Sequence, residues 1–296
     1  MSDPKWFAVI GSPVAHSKSP KLHEAAYRAL GLPHAYERVE TSEADLPARI
    51  EALRAGKYSG LNVTVPHKMR VLAYADEQAG TVLAIGAANT LVRLPDGRIR
   101  AHNTDAPALA AELARVAGRE GSFEAKTGLV LGTGGAARAA IAAFGALGIR
   151  RVVVRGRDTR ADLGADFERV LAASAHSPEA LATTSIVMQP LEARPIPDLA
   201  AIVQATTCGM AGGPSGELVA GAVAWDTVPA GAVGIDAVYA PPDTPFLREA
   251  RQRSIACDNG LGMLARQGAL AFELWLGVPA PLDAMLAALG QRSSSS

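Results

Sequence analysis

The sequence has few of the residues that mark disulfide-stabilised or metal-binding proteins. Its two cysteines, Cys208 and Cys257, do not make a disulfide framework, which favours a reducing compartment. The six histidines form no HxxxH pair and no CxxC occurs, so we expect no metal site. No apolar run approaches the ~18 residues of a membrane span, and the first residues lack the plan of a signal peptide. We therefore expect a cytoplasmic protein with no membrane partner.

An excess of charge of either sign is also missing, since Lys+Arg and Asp+Glu both number 29. A balanced chain has no broad basic field for a phosphate backbone, which argues against nucleic acid as a partner. Lysine is especially scarce, because only six of the 29 basic residues are lysine. A lysine in a polar setting therefore stands out, since lysine, unlike arginine, can give up a proton in proteins.

What the sequence does contain is an alternation of short apolar runs with alanine-rich amphipathic stretches, which is typical of an α/β fold. Its 296 residues are enough for two domains of ordinary size. In the first third, the apolar runs predict four strands: WFAVIG, AYERVE, LNVTV and ANTLVR. The Asp-Gly pair in LPDGR predicts a hairpin whose strands cover 90–93 and 99–102.

The middle of the chain carries fully apolar strands joined by helices. GLVLG, RVVV, AAIVQAT and AVGIDAVY predict successive β-α-β units and a parallel sheet covered on both faces. The last two predicted helices return to the first domain. We therefore predict two domains: an N-terminal α/β substrate domain of 1–105 completed by the C-terminal helices of 258–296, and a Rossmann-type doubly wound dinucleotide-binding domain of 106–257.

A glycine-rich turn opens the second domain. LGTGGAARA follows a strand and begins a helix, which is the context of a dinucleotide-binding turn. Gly132 permits the tight turn, while Gly134 and Gly135 let backbone N–H groups approach a pyrophosphate at the positive end of the helix. Methyltransferases carry similar turns, so the glycines alone do not decide between a nicotinamide cofactor and another ligand.

The end of the next strand bears on the choice of cofactor. An acidic residue there usually binds the ribose hydroxyls of NAD, whereas arginine accommodates the 2′-phosphate of NADP. Here Arg155, Arg157 and Arg160 suit a phosphate monoester, which arginine grips through bidentate hydrogen bonds. Asp158 lies among them and suits NAD. The sequence favours NADP and leaves NAD open.

One strand in the first domain ends in a polar group. In LNVTV, apolar residues alternate with Asn62 and Thr64, so both polar side chains lie on one face. Pro66 ends the strand and is expected to begin a helix, which puts Lys68 in its first turn. Most single lysines are solvated surface residues, but Lys68 is also a candidate for proton exchange with a substrate.

A second polar segment, AHNTDAPAL, lies where the chain leaves for the other domain. Thr104 could be an ordinary helix cap. Asp105 is either a first-turn carboxylate favoured by the helix dipole or a partner that holds the ammonium group of Lys68. The site alternative for Asp105 is supported by its place at a domain junction, since ligand clefts often lie there.

Two further segments add hydroxyl and amide groups. HSKSP supplies Ser17 and Ser19, and GAANTL supplies Asn89. Ser19 is equally a helix cap and Asn89 equally a turn residue. If these groups converge on one cleft, they suit a small polyhydroxylated acid.

Seven motifs, in this order, resemble the shikimate dehydrogenase family: GSPVAHSKSPKLH, GLNVTVPHK, AIGAANTL, HNTD, GTGGAARA, IDAVYAPPDTPFL and GLGMLARQGALAFELW. The resemblance covers nearly the whole chain. It implies a two-domain enzyme that reduces 3-dehydroshikimate to shikimate with NADPH, reversibly, in aromatic amino-acid biosynthesis. Both a monomer and a homodimer are compatible with it.

The resemblance also implies roles for particular residues. Lys68 matches the catalytic lysine and Asp105 its partner, which orients the lysine and contacts a ring hydroxyl. Ser17 and Ser19 match the pair that grips the substrate carboxylate. Further positions lining the substrate pocket are Asn62, Thr64, Asn89, Tyr239 and Gln267. The cofactor positions are Gly132, Gly134, Gly135 and Ala136 at the pyrophosphate, Arg157 at the 2′-phosphate, and Met210 and Gly260 near the nicotinamide.

The sequence departs from the family pattern at a few positions. The phosphate-binding NRT reads GRD at 156–158, and Glu24 and Ala106 replace a usual Asn and Gly. No catalytic group is lost, but two alternatives stay open. One is a quinate/shikimate dehydrogenase or related paralogue that uses NAD. The other is a non-catalytic ligand-binding homologue, against which the intact pair of Lys68 and Asp105 argues.

Overall fold

The computed structural model of the chain describes residues 3–118, 123–175 and 184–291. The chain forms two compact units. The first comprises the residues up to Ala108 and those from Leu261 onward, and the second comprises Leu109–Gly260. The sequence predicts these boundaries at 105 and 258. Among the described residues, no helix combines the length and apolar content that crossing a membrane requires.

The strands are numbered in chain order as β1 (Trp6–Gly11), β2 (Ala35–Glu40), β3 (Gly60–Val63), β4 (Glu77–Gln78), β5 (Thr90–Arg93), β6 (Ile99–His102), β7 (Thr127–Leu131), β8 (Arg151–Arg155), β9 (Ser185–Gln189), β10 (Leu199–Gln204), β11 (Val233–Asp236) and β12 (Ala256–Asn259). The α-helices are α1 (Ser19–Ala29), α2 (Leu46–Arg54), α3 (Gly80–Ile85), α4 (Asp105–Ala117), α5 (Gly135–Ala146), α6 (Ala161–Ala173), α7 (Glu217–Ala220), α8 (Pro245–Gln252), α9 (Leu261–Leu276) and α10 (Leu282–Ala288). Short 3₁₀ helices cover Arg70–Tyr74 and Trp225–Thr227.

The first unit is built on a mixed six-stranded sheet with the order β2-β1-β3-β5-β6-β4. The predicted hairpin is confirmed, because β5 and β6 pair antiparallel with Leu91 opposite Ala101. Gly97 in its turn has φ +88°, a conformation that glycine adopts without strain. The hairpin places Asn89 and His102 side by side at one end of the sheet, where the Asn89 N–H donates to the His102 carbonyl oxygen at 3.1 Å.

The segment after β3 differs from the prediction. The strand ends at Val63, and the residues that follow form turns rather than the start of an α-helix, so the placement of Lys68 in a first helical turn is wrong. The His67 N–H donates to the Thr64 carbonyl oxygen at 2.9 Å and closes one turn around Pro66. The regular structure that follows is the 3₁₀ helix Arg70–Tyr74.

Helix α9 packs on the first sheet, as the predicted return of the C-terminal helices requires. The Trp275 indole N–H donates to the Leu91 carbonyl oxygen at 3.0 Å. Its ring stacks on Phe7 with centroids 4.8 Å apart. A Cβ at Gly60 would collide with the Trp275 indole, so only glycine lets the helix come this close to β3. The last part of the chain therefore completes the core of the first unit.

The second unit is a parallel six-stranded sheet with the order β12-β11-β10-β7-β8-β9. Counted from β7, this is the 3-2-1-4-5-6 order of doubly wound dinucleotide-binding sheets. The direction of winding reverses between β7 and β10, and ligands of such folds bind at the carboxyl ends of the strands at this point. The predicted Rossmann-type architecture is confirmed.

Candidate active site

Lys68 and Asp105 form an ion pair in the first unit. The Lys68 Nζ lies 2.6 Å from the Asp105 Oδ2, and the side chains are 17% and 6% exposed. Lys68 belongs to the turn after β3, and Asp105 is the first residue of α4, three residues past the end of β6. A charged hydrogen bond shielded from water is stronger than a surface pair, so the ammonium group has a defined position. The two residues thus make the contact that the sequence predicts for them.

Asn103 fixes Asp105 at the start of α4. Its Oδ1 accepts hydrogen bonds from the backbone N–H groups of Asp105 and Ala106, at 3.1 and 3.2 Å. Its Nδ2 donates to the Ala87 carbonyl oxygen at 2.9 Å. Asn103, rather than Thr104, therefore caps the helix. Sequence reasoning missed Asn103, although an Asn two residues before an acidic helix start is a recognisable cap signal.

Asn89 joins the pair from the neighbouring strand end. Its Nδ2 donates to the Asp105 Oδ1 at 2.8 Å, and its Oδ1 accepts from the Thr104 N–H at 2.7 Å. A carboxylate only accepts and an N–H only donates, so these two contacts fix the orientation of the amide. Gln267 of α9 places its Oε1 3.2 Å from the Asn89 Nδ2. The structure thus brings these predicted site residues together.

Asn62 lies beside this group, and both its amide oxygen and its amide nitrogen are hydrogen-bonded within the protein. Its Oδ1 accepts from the Tyr36 hydroxyl at 2.7 Å. Its Nδ2 donates to the Asn89 carbonyl oxygen at 3.2 Å and to the Thr90 Oγ1 at 3.1 Å. Both N–H bonds of the amide are used, so a ligand can reach only a remaining lone pair of Oδ1.

Thr64 is half-buried just past β3. Its methyl group packs against Gly11, and a Cβ on residue 11 would collide with that methyl group.

Ser17 and Ser19 lie together at the start of α1. Their hydroxyl oxygens are 3.1 Å apart, and the Ser19 N–H donates to the Ser17 Oγ at 3.3 Å. Ser19 is the first helical residue, and its side chain turns to Ser17 rather than capping the helix. Arg38 of β2 donates through Nε to the Ser17 carbonyl oxygen at 2.7 Å. Two hydroxyls at a helix N-terminus suit a carboxylate ligand.

The glycine turn of the second unit fits a pyrophosphate. Gly132 has φ +117°, and a Cβ there would lie 2.8 Å from the Thr206 Cγ2. A Cβ at Gly134 would meet no heavy atom within 4 Å, so the backbone is open to a close ligand. Gly135 and Ala136 begin α5, which directs its free N–H groups to this turn.

The arginines at the end of β8 and just past it differ from the prediction in one respect. Arg155 is fully buried, and its guanidinium donates to the Gln189 Oε1 at 3.0 Å and to the carbonyl oxygens of Ala222 and Arg194, both at 2.7 Å. The assignment of Arg155 to the cofactor is therefore corrected to a structural role. The side chain of Arg157 is exposed.

Asp158 is engaged by Arg160, whose Nε donates to the Asp158 Oδ1 at 3.0 Å. Hydrogen bonds from Arg160 hold the pKa of the Asp158 carboxyl below its ordinary value. Because the carboxylate is paired, it opposes a phosphate less than a free aspartate would.

The remaining predicted positions belong to loops of the second unit. Met210 is half-buried, and its carbonyl oxygen accepts from the Gly213 N–H at 2.8 Å. Gly260 lies against Ala237, whose carbonyl oxygen a Cβ would strike. Tyr239 follows β11 and is half-buried. It lies within Leu109–Gly260, so it belongs to a different unit from the other predicted substrate residues.

In the described parts of the chain, no cluster of three His, Cys, Asp or Glu side chains is arranged to hold a metal ion.

Sequence reasoning also missed a buried polar group at the end of β11. The Asp236 carboxylate accepts from the Thr244 hydroxyl at 2.5 Å, the Val238 N–H at 2.9 Å and the Gln204 Nε2 at 3.1 Å. Burial raises the pKa of Asp236 to about 6, and the three hydrogen bonds only partly offset this effect. An Asp at the carboxyl end of an apolar parallel strand was the available signal.

Comparison with known proteins agrees with this geometry. The shikimate dehydrogenase substrate binding domain matches residues 9–91, and the shikimate 5'-dehydrogenase C-terminal domain matches residues 260–289. The first match includes the serine pair, Asn62, Lys68 and Asn89, and the second includes Gln267.

Full-length relatives extend the likeness. The chain is 39% identical over 278 residues to the shikimate dehydrogenase (NADP(+)) of Methylobacterium radiotolerans, covering 94% of this chain and 93% of that protein. The solved shikimate 5-dehydrogenase of Thermus thermophilus, in complex with NADP(H) and shikimate, is 34% identical with a TM-score of 0.74, covering 96% and 98% of the two chains. The ligand-free 5-ketofructose reductase of Gluconobacter sp. strain CHM43 has a TM-score of 0.81 at 26% identity, covering 97% and 98%. With 39% identity along nearly the full length of both proteins, and with the Lys68–Asp105 pair in place, this chain belongs to the shikimate dehydrogenase family.

Proposed function

We propose that this chain reduces 3-dehydroshikimate to shikimate, reversibly, with NADPH. The observation that carries the proposal is the Lys68–Asp105 pair, an ammonium group held 2.6 Å from a buried carboxylate that Asn89 also holds. A ligand-binding module without chemistry has no need of a proton donor fixed in this way. The relative from Methylobacterium and the structure from Thermus are named for shikimate and NADP, which supports this substrate and cofactor.

The reaction adds a hydride and a proton across the C3 carbonyl. The carbonyl carbon receives the hydride that bound NADPH supplies. Lys68 hydrogen-bonds the carbonyl oxygen and gives it a proton as negative charge develops there. One of its three N–H bonds goes to Asp105, which leaves two for the substrate. Asp105 orients the ammonium group and accepts from a ring hydroxyl, and in the reverse direction the neutral amine of Lys68 takes the proton back.

The substrate is held by the polar groups of the first unit. The paired hydroxyls of Ser17 and Ser19 bind its carboxylate, as the start of α1 favours an anion. Thr64 and Gln267 line the ring site. Asn62 contributes only through Oδ1, since its N–H bonds are used within the protein. Tyr239 stays a proposed substrate contact from the second unit.

The cofactor is held by the second unit. Backbone N–H groups at Gly134, Gly135 and Ala136 bind the pyrophosphate, and Gly132 makes the turn that presents them. The exposed guanidinium of Arg157 binds the 2′-phosphate. Because Arg160 pairs with Asp158, NADP is favoured over NAD. Met210 and Gly260 lie near the nicotinamide in this proposal.

Steady-state assays of substrate and cofactor choice test the proposal. Shikimate and quinate are each oxidised with NADP⁺ and NAD⁺, and 5-ketofructose is offered with NADPH and NADH. Turnover dominated by shikimate with NADP⁺ supports the proposal. Comparable rates with quinate or NAD⁺ would place the chain with the quinate/shikimate enzymes that use NAD, and preference for 5-ketofructose would reject the carboxylate role of the serines. No turnover in any combination would support the non-catalytic alternative.

The role of Lys68 is tested by Lys68→Ala. We expect kcat to fall by about a thousandfold or more, with the KM for shikimate changed by less than about fivefold, because the lysine acts on the reacting oxygen. Lys21→Ala, which removes an exposed lysine from α1 of the same unit, is the matched control. An unchanged kcat for Lys68→Ala would overturn the assignment.

A further inference from the structure

Tyr36 is a buried tyrosine that the proposed reaction does not use. It lies in β2, with Phe7 of β1 opposite, and is 5% exposed. Its hydroxyl donates to the Asn62 Oδ1 at 2.7 Å, across the strand that separates β2 from β3. A hydrogen bond between two side chains 26 residues apart in sequence is a specific feature of the fold rather than a local turn contact.

The ring of Tyr36 is held in place by its neighbours. The imidazole of His23, fully buried in α1, stacks on it face to face, with centroids 4.3 Å apart and 7° between the planes. Trp275 of α9 also packs near it, at 6.3 Å between centroids. A ring packed in this way has little freedom to rotate, so its hydroxyl presents a hydrogen bond from a fixed position.

Asn62 transmits this position to Asn89. The Asn62 amide nitrogen must face the Asn89 carbonyl oxygen, at 3.2 Å, because a carbonyl only accepts. Its Oδ1 therefore points to Tyr36. Without the Tyr36 hydroxyl, this buried oxygen would lose its donor, and only the bonds from Nδ2 to Asn89 and Thr90 would hold the amide.

Asn89 in turn contacts the reactive pair. Its Nδ2 donates to the Asp105 Oδ1 at 2.8 Å, and the Asp105 Oδ2 accepts from the Lys68 Nζ at 2.6 Å. The Asn62 Nδ2 also donates to the Thr90 Oγ1 at 3.1 Å, and the Thr90 hydroxyl donates to the Asn89 Oδ1 at 3.3 Å. A continuous chain of hydrogen bonds therefore runs from Tyr36 through Asn62, Thr90, Asn89 and Asp105 to Lys68. Such networks act as a unit, so the loss of one member affects the others.

We propose that Tyr36 is a positioning residue: its hydroxyl holds the oxygen side of the Asn62 amide, which supports Asn89 against Asp105 and so keeps the Lys68 ammonium group in place for the substrate. The catalytic part of this inference rests on the proposed function. The positioning of Lys68 does not, and it has a test of its own.

The substitution Tyr36→Phe removes the hydroxyl and keeps the ring. We expect kcat for shikimate oxidation to fall about tenfold, with KM changed by less than about threefold, because the proton-transfer group and not the carboxylate site is disturbed. Tyr58→Phe is the matched control, since Tyr58 is equally buried in the same unit but donates at 2.6 Å to Glu37. It should keep kcat within about twofold of the wild type.

Two further measurements decide the route and separate this inference from the proposed function. On an Asn62→Ala background, Tyr36→Phe should cause no additional loss of kcat; an undiminished loss would overturn the route through Asn62. Labelling of Lys68 by trinitrobenzenesulfonate, followed by peptide mass spectrometry with Lys21 as internal reference, needs no substrate. We expect labelling to be about threefold or more faster in Tyr36→Phe than in the wild type and Tyr58→Phe. Unchanged labelling would overturn the inference, whereas faster labelling in a protein that does not oxidise shikimate would reject the function and keep the positioning.

Discussion

Asp236 shows how one buried carboxyl group can act against the stability of the protein at neutral pH. It is fully buried at the end of β11, and burial raises its pKa from 3.8 to about 6. The folded protein therefore binds a proton that the unfolded chain has released between these two values. The contribution of this group to the free energy of unfolding is greatest at low pH and falls as pH rises through about 6.

The substitution Asp236→Asn tests this effect. Between pH 5 and pH 7, the wild type should lose about 1 kcal/mol of its free energy of unfolding relative to the variant. The reason is that only the wild type must ionise a buried carboxyl group over this range. Urea unfolding of both proteins at several pH values measures the difference. A difference that stays constant with pH would show that Asp236 does not titrate in this range.

Residues that bond across the fold are the ones that sequence reasoning could not place. The pattern RVVVRGRD predicts the same phosphate-binding role for Arg155 and Arg157. In the structure, the Arg155 guanidinium instead donates to the carbonyl oxygens of Ala222 and Arg194, which are 67 and 39 residues away. Tyr36 is likewise invisible in AYERVE, since only the pairing of β1 with both β2 and β3 brings it to Asn62. Lys68 was accessible because lysine is scarce in this chain, and Asp105 because it stands in a polar segment at the predicted domain junction.

At the scale of elements, α4 depends on its cap. Asn103→Ala removes both hydrogen bonds to the helix N-terminus. We expect a loss of about 1–2 kcal/mol in the free energy of unfolding. We also expect a fall in kcat, because Asp105 is the first residue of the helix and loses its anchor. Urea unfolding and shikimate oxidation measure the two effects.

The control for this variant is Ser42→Ala. Ser42 accepts from the Asp45 N–H at 3.2 Å before α2, away from the candidate active site. It should lose stability and keep its kcat. If Asn103→Ala were to lose only stability as well, the cap would have no part in placing the carboxylate.

Elements fixed by local chemistry were predicted best. The hairpin of β5 and β6 follows from an Asp-Gly turn between alternating residues, and its strand limits agree with the prediction. The segment after β3 was predicted wrongly because Pro66 suits both a helix start and a tight turn, and the His67–Thr64 hydrogen bond selects the turn. The doubly wound parallel sheet of the second unit was predicted from its repeated β-α-β units and is confirmed.

At the scale of the whole molecule, each ligand has its own unit in the proposed function. In hydrogen exchange, shikimate alone should slow the amides around β3 and the start of α4, and NADP⁺ alone those around β7 and α5, since a ligand stabilises the structure that binds it. Slowing by shikimate around Tyr239 would support that residue as a substrate contact. If shikimate protected only Leu109–Gly260, the assignment of the substrate to the first unit would be rejected.

The discontinuity of the first unit sets an order on folding during synthesis. All residues of the second unit have left the ribosome before α9 emerges. The strands of the first sheet are synthesised earlier, but Trp275, which covers Gly60 and Phe7, is synthesised only after the second unit. Domains generally fold as soon as they are complete. The nascent chain should therefore finish its second unit first and leave the Phe7 side of the first sheet uncovered until α9 appears.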